Sequence, residues 1–284
     1  MARDDPVFWE WVCNTRQPSV RCDDTYSMDV FVRAFLTNTY RLLTSGECFT
    51  LPADPRVIHA VIMTLKEPIQ VTMVNIEGDS FPSDFLRNCG TLTSLTTTGL
   101  TSVRSIGDAF LELCPLLTSV DLSGLTSVKS IGGDFLRCCP LLTSLDLSGL
   151  TSVTTIGDRF LEQCTLRTPL LTSVDLSCLT SVKSIGGHFL RYCPLLTSLD
   201  LSGLTSVTTI GDRFLEQCPL LSSVDLSCLT SVKSIGSHFL RYCPLTSLDL
   251  SGLTSVTTIG DRFLEQCPRL TSVDLSGLTS VKSI

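Results

Sequence analysis

No stretch of about 18 apolar residues occurs in the 284-residue sequence, so no helix in it is expected to span a bilayer. The first ten residues carry Arg3, Asp4, Asp5 and Glu10 and lack the apolar centre of a secretory signal, so a cytoplasmic location is the expectation. Basic residues are in deficit. The 21 Lys and Arg face 28 Asp and Glu, a formal charge of −7, which argues against a nucleic-acid or anionic-membrane binder because both need a basic face. Only three histidines occur, and there is no P-loop, no dinucleotide fingerprint and no cysteine pair with zinc spacing. Neither a cofactor nor a metal is expected. Disorder is excluded from the other side, since 43% of the residues are apolar and only 17% charged.

What the sequence has in abundance is itself. Residues 140–164 read PLLTSLDLSGLTSVTTIGDRFLEQC, and residues 194–218 repeat the same letters. Units begin at Leu92, Leu117, Leu142, Leu171, Leu196, Leu221, Leu245 and Leu270, spaced by 25 residues except for one unit of 29 and one of 24. Such a period is the signature of a solenoid, in which a unit that cannot bury its own apolar side buries it against the next. Within a unit, Leu142, Leu145 and Leu147 alternate with Ser144 and Asp146 as in a short half-buried strand. Gly149 and Gly157 are read as turns; Leu150, Val153, Ile156, Phe160, Leu161 and Cys164 supply the remaining inward contacts. A degenerate unit over 69–91 precedes the array, and the last unit, 270–284, is incomplete.

The consensus LxxLxLSGLxxVxxIGxxFLxxCP resembles leucine-rich repeats, and within them the BspA-like, Treponema-type subclass, over residues 71–284. The resemblance implies an α/β-type solenoid, a leucine-rich-repeat array of about eight units with a parallel concave sheet. It also implies a protein-interaction surface, adhesive in some members, with no shared catalytic residues.

Residues 1–68 lack the repeat and read as a helical N-terminal cap, with 69–284 as the array. Met28, Phe31, Val32, Phe35, Leu36, Leu42 and Leu43 fall at helical spacing, and a second helix is expected from Pro55 to Lys66, capped by Asp54 and ended by Pro68. At the other end the chain stops after Ser283-Ile284 without a polar capping segment. That pattern reads as truncation, or as an uncapped edge through which the protein self-associates.

Stacking turns each repeat position into a column. Glu112, Arg137, Glu162, Arg191, Glu216, Arg241 and Glu265 alternate in sign, which penalises a one-unit slip and reads as register control by exposed pairs. Asp121, Asp146, Asp175, Asp200, Asp225, Asp249 and Asp274 stack without a base between them, on the outward face of the first strand. Three readings stay open for this acidic strip: a Ser/Thr-solvated residue copied by duplication, a docking strip for a basic protein segment, or a cation site. One carboxylate per rung is thin for calcium, which takes about six to eight oxygens. Cys114, Cys139, Cys164, Cys193, Cys218, Cys243 and Cys267, extended by Cys89, form a further column, and Cys178 and Cys228 replace the turn glycine. All fourteen cysteines are read as reduced structural thiols. His188 and His238 stand where another unit has Asp134, which marks them as interchangeable rather than catalytic.

The expectation is therefore a non-catalytic scaffold that binds an extended or basic protein partner along the concave Asp column. The alternative is a cell-surface or secreted adhesin.

Overall fold

The computed structural model describes residues 55–64, 68–73, 76, 78–163, 169–282. The helix expected over Met28–Leu43, the Asp54 cap and Cys164 lie outside them.

Helix α1 (Pro55–Thr64) buries Ile58 and Ile62, and His59 Nδ1 accepts a 2.9 Å hydrogen bond from the Leu86 amide of the first turn. The expected end at Lys66 lies outside the described residues. The chain then winds through very short strands: β1 (Ile69–Met73), β2 (Ser80–Phe81), β3 (Leu92–Thr97), β4 (Ser105–Ile106), β5 (Ser119–Asp121), β6 (Ser130–Ile131), β7 (Ser144–Asp146) and β8 (Thr155–Ile156). The winding continues through β9 (Ser173–Asp175), β10 (Ser184–Ile185), β11 (Ser198–Asp200), β12 (Thr209–Ile210), β13 (Ser234–Ile235), β14 (Ser247–Asp249), β15 (Thr258–Ile259) and β16 (Ser272–Asp274). Every pairing is parallel, and from β3 on the register follows the repeat, as in Ser119↔Ser144 and Ile131↔Ile156, while β1 meets β3 with a register shift between Ile69 and Gln70. This is a parallel β-solenoid of about eight turns.

The two ladders differ. The second strands form one unbroken sheet of eight, β2 to β15, whereas the first strands fall into three groups, β1-β3-β5-β7, β9-β11 and β14-β16. A continuous first-strand sheet is thus not what forms; residues 221–226 adopt no strand at all.

The third side of each turn carries the FLxxC segment, and here non-glycine residues alternate into the left-handed region: Arg213, Leu215 and Gln217 at φ of 60°, 56° and 60°, His238, Leu240 and Tyr242 at 61°, 53° and 59°. Each such residue costs roughly 1 kcal/mol in isolation. The conformation turns the amides of these alternate residues toward the neighbouring rungs: Arg213 N–H donates to Ser237 O at 2.7 Å and Leu215 N–H to Phe189 O at 2.9 Å. Beneath it the phenylalanines stack face to face, with centroids 5.0–5.3 Å apart from Phe135 to Phe263. Stacking at this distance adds about 0.5–1.5 kcal/mol per pair to the burial of the rings.

Gly149 lies in the turn expected of it, closed by Leu150 N–H donating to Leu147 O at 2.8 Å, and Gly157 stands between β8 and the turn that follows, but both glycines have a second role. Gly149 and Gly157 do not adopt positive φ. A Cβ on Gly149 would stand 2.5 Å from Leu122 O and Ser123 O, and one on Gly157 2.5 Å from the Gly132 carbonyl carbon. They are there because successive turns touch at their backbones, a contact only hydrogen permits.

Candidate interaction face and its neighbouring columns

The first-strand face is built from the sequence Thr-Ser-Leu-Asp-Leu-Ser. Threonine hydroxyls donate to the carbonyl of the turn before, Thr118 Oγ1 to Thr93 O at 2.9 Å and Thr197 Oγ1 to Thr172 O at 3.1 Å. Each Asp of the column folds its own carboxylate onto the chain two residues ahead. Ser123 N–H donates to Asp121 Oδ1 at 2.9 Å, and the same bond recurs at 2.8–2.9 Å for Ser148, Ser177, Ser202, Ser227, Ser251 and Ser276. This Asx turn explains why the position is Asp in every turn from Leu117 onward: it satisfies a backbone donor where the chain leaves the strand. The serine was not singled out from sequence, although the Asp-x-Ser spacing carries the signal.

The turn shapes the electrostatics. The Ser148 hydroxyl and amide hold the Asp146 carboxyl below its ordinary pKa, and Ser202 and Ser276 do the same for Asp200 and Asp274. For Asp225 the amide and hydroxyl of Ser227 outweigh burial and repulsion from Asp200. These four carboxyls therefore stay charged at neutral pH despite their like neighbours. Asp121 is half-buried and the other six are exposed. None of the seven enters an ion pair among the described residues, while Glu112, Glu162, Glu216 and Glu265 all do. A shallow depression of about 290 Å³ opens on this face, lined by Ser173, Val174, Asp175, Ser198, Leu199 and Asp200. Thr96 takes the Asp position in the first rung, in register with Asp121.

The alternating charge column is not the exposed feature expected of it. Glu112, Glu162 and Glu216 side chains are 4%, 6% and 1% exposed. Each is bracketed by arginines from the turns on either side. Glu112 meets Arg87 and Arg137 at 2.8 Å, Glu162 meets Arg137 at 3.2 Å and Arg191 at 3.1 Å, and Glu216 meets Arg191 at 2.6 Å and Arg241 at 3.2 Å. Burial pushes the Glu216 carboxyl up, but the hydrogen bonds and charge of Arg191, with Arg241 and Arg213, outweigh it and hold the pKa low. The burial follows from the third-side backbone, which brings this position against the core beside Leu215. His188 Nδ1 lies 3.2 Å from Glu162 Oε1, so it serves this ladder. At the equivalent place burial and Arg213 lower the His238 pKa.

Of the described cysteines in the column, Cys89, Cys114, Cys139, Cys193, Cys218 and Cys243 are buried and Cys267 is half-buried. Cys114 Sγ donates to Leu86 O at 3.1 Å, Cys139 to Leu111 O at 3.1 Å, and Cys218 to Leu190 O at 3.3 Å. A hydrogen bond from Cys139 and burial push the Cys114 thiol far up, and Cys218 is raised in the same way by Cys193. Nine described cysteines are free, but Cys138 is disulfide-bonded, which corrects the expectation that all are reduced. Among the described residues no group of three His, Cys, Asp or Glu is placed to hold a metal ion, and no helix is long and apolar enough to cross a membrane.

A family model for the BspA type leucine-rich repeat region matches the chain in six copies, over residues 69–181 and 183–284. Among solved structures the chain is similar to a leucine-rich repeat protein of T. pallidum, with 21% identity, a TM-score of 0.44, and 72% of this chain and 78% of that one covered. It is also similar to a leucine-rich repeat protein of Bacteroides ovatus ATCC 8483, at 19% identity and TM-score 0.37, covering 76% and 72%. A leucine-rich cell surface protein of Faecalibacterium prausnitzii A2-165 is similar at 18% identity and TM-score 0.41, covering 77% and 76%. No curated protein matches the chain significantly.

Proposed function

The chain belongs to the BspA-type leucine-rich repeat family, and on that premise we propose that it is a non-catalytic scaffold that docks an extended, basic protein segment along its first-strand face. The observation that carries this reading is the contrast between its acids. The glutamates of the charge ladder are neutralised by arginines, whereas the seven Asp side chains are met by their own Ser in an Asx turn and by no cationic side chain among the described residues. Lys or Arg side chains repeating along an extended segment would meet one carboxylate per rung, so affinity would be spread over several weak contacts.

Asn tests this cleanly. Its side-chain oxygen accepts the same Ser amide, so Asp146, Asp175, Asp200 and Asp225→Asn removes four charges while keeping the turns. Random peptides displayed on phage are selected on the wild-type chain and on this variant, with thermal melting alongside. Enrichment of Lys- and Arg-rich sequences by the wild type, lost in a variant of equal stability, is expected. Equal enrichment by both chains would show that the Asp column only shapes the backbone.

Two locations compete beside this reading. Nine free cysteines support a reducing, cytoplasmic compartment, whereas the Cys138 disulfide favours the alternative of a secreted or surface adhesin. Counting thiols on protein recovered from its native source and denatured without reductant separates them. Fourteen free thiols point to the cytoplasm, fewer to export.

A further inference from the structure

The first-strand ladder is interrupted at three junctions, and two of the interruptions track a single position. Where the residue after the Asx turn is Gly124, Gly149, Gly203 or Gly277, the turn is hydrogen-bonded to the one before, as β3-β5, β5-β7, β9-β11 and β14-β16. At each of these glycines a Cβ would clash with the preceding backbone, 2.7 Å from Thr97 O at Gly124 and 2.5 Å from Leu122 O at Gly149. Where the same position is Cys178 or Cys228, the ladder is open: β7 does not pair with β9, and β11 does not pair with the turn that begins at Leu221. The thiols occupy the gap. Cys178 Sγ donates to Leu147 O at 3.1 Å and Cys228 Sγ to Leu201 O at 3.0 Å. The third break, between residues 221–226 and β14, has a different setting: it follows the unit shortened to 24 residues, and a Cβ on Gly252 would stand 3.1 Å from Ser227 O, clear of the clash met at the other glycines.

The other two sides of these junctions are closed. At the β7/β9 junction the second strands pair, Ser184↔Thr155 and Ile185↔Ile156, and Phe160 stacks on Phe189 at 5.2 Å. At the Cys228 junction Thr209↔Ser234 and Ile210↔Ile235 pair, and Phe214 stacks on Phe239 at 5.3 Å.

We propose that Cys178 and Cys228 are wedges that turn the solenoid into a jointed rod. Their Cβ atoms hold adjacent turns apart on the first-strand side, so the array bends there about the unbroken second-strand sheet as a hinge line. The joints fall two turns apart and divide the first-strand face into blocks that tilt against each other. A long occupant of that face would be met by surfaces that adjust block by block. The joints themselves arise from backbone geometry and hold whatever the face binds.

Amide hydrogen exchange by NMR on the full chain reads the joints directly. In closed junctions Leu122 N–H donates to Asp146 O and Leu176 N–H to Asp200 O, both at 2.9 Å. Leu147 and Leu201 are the equivalent residues at the open ones. Their amides are expected to exchange about 100-fold faster than those of Leu122 and Leu176, a gap expected of local opening against a bonded ladder. In Cys178→Gly and Cys228→Gly the corresponding amide becomes protected, while Cys→Ala leaves it fast because the Cβ remains. Gly203→Cys is the converse, and should release Leu176 and Thr197. Equal protection of Leu147, Leu201, Leu122 and Leu176 in the wild type would overturn the proposal. So would folded Gly variants that stay fast, Ala variants that become protected, or a folded Gly203→Cys chain that keeps Leu176 slow.

Discussion

Glu216→Gln is the sharpest probe of what holds the turns in register. The Glu216 side chain is 1% exposed and accepts from Arg191 at 2.6 Å, with Arg213 and Arg241 at 3.2 Å. Breaking a buried ion pair costs about 3–5 kcal/mol when the surviving charge is trapped. Here the survivors are arginines 14% and 17% exposed, and each keeps another carboxylate, Glu162 for Arg191 and Glu265 for Arg241. That relief brings the expected loss to about 2–3 kcal/mol, a fall in Tm of roughly 5–10 °C for a chain of this size. The acid limb gives the sign. The folded pKa of Glu216 lies below its ordinary value, so its stabilisation is present above the unfolded pKa and is lost as pH falls through the folded one. Wild type and variant should therefore differ most near neutrality and converge in acid. The swap Arg191→Glu with Glu216→Arg restores that pair but sets like charges against Glu162 and Arg241, so it should not rescue. Melting by circular dichroism across pH checks all three. A variant within about 0.5 kcal/mol of wild type, or a swap that recovers full stability, would refute the continuous ladder and leave ordinary surface pairs.

The third side of the turn yields two further expected outcomes. Gln217 holds φ of 60° without being a Cβ-free residue, so Gln217→Gly should raise stability by about 1 kcal/mol in urea denaturation, the left-handed penalty outweighing the added chain entropy. A loss of stability would contradict the backbone described there. The thiols of Cys114, Cys139, Cys193, Cys218 and Cys243 are buried, and those of Cys114, Cys218 and Cys243 are pushed up by neighbouring thiols and burial. Iodoacetamide at pH 7 should leave these five unlabelled until the chain unfolds, and rapid native labelling read by peptide mass spectrometry would contradict the buried column.

The repeat made most of the fold legible. Its period placed every turn, and the inward letters Leu142, Leu147, Leu150, Val153, Ile156, Phe160 and Leu161 are all buried. What escaped was set by the third dimension of the stack. Glu216 looks like a surface residue in an alternating pattern, because nothing in a linear string shows that the FLxxC segment turns its Glu against the core. Gly149 reads as a turn and is one, but the same letter also serves a close approach, which only the distance to Leu122 O reveals. The Gly-to-Cys exchanges at Cys178 and Cys228 were visible as letters, but their effect on the ladder depends on that same distance. At the candidate face the outward placement of the Asp side chains was legible from strand alternation, but the breaks between Asp146 and Asp175 and between Asp200 and Asp225 were not. The Asx turns were missed because strand alternation, which explains the outward Asp, hides the shorter Asp-x-Ser relation.

The docking claim is tested most directly by titrating a lysine-rich extended peptide into isotopically labelled protein and tracking amide shifts by NMR. The amides of Ser148, Ser177, Ser202 and Ser227 donate to the Asp carboxylates, so they report contact with the strip without being part of it. The account predicts saturable shifts at these four, weakened by salt as exposed charges are screened and absent after Asp146, Asp175, Asp200 and Asp225→Asn. Shifts confined to helix α1 or the arginine–glutamate ladder, or no saturable shifts at all, would contradict it.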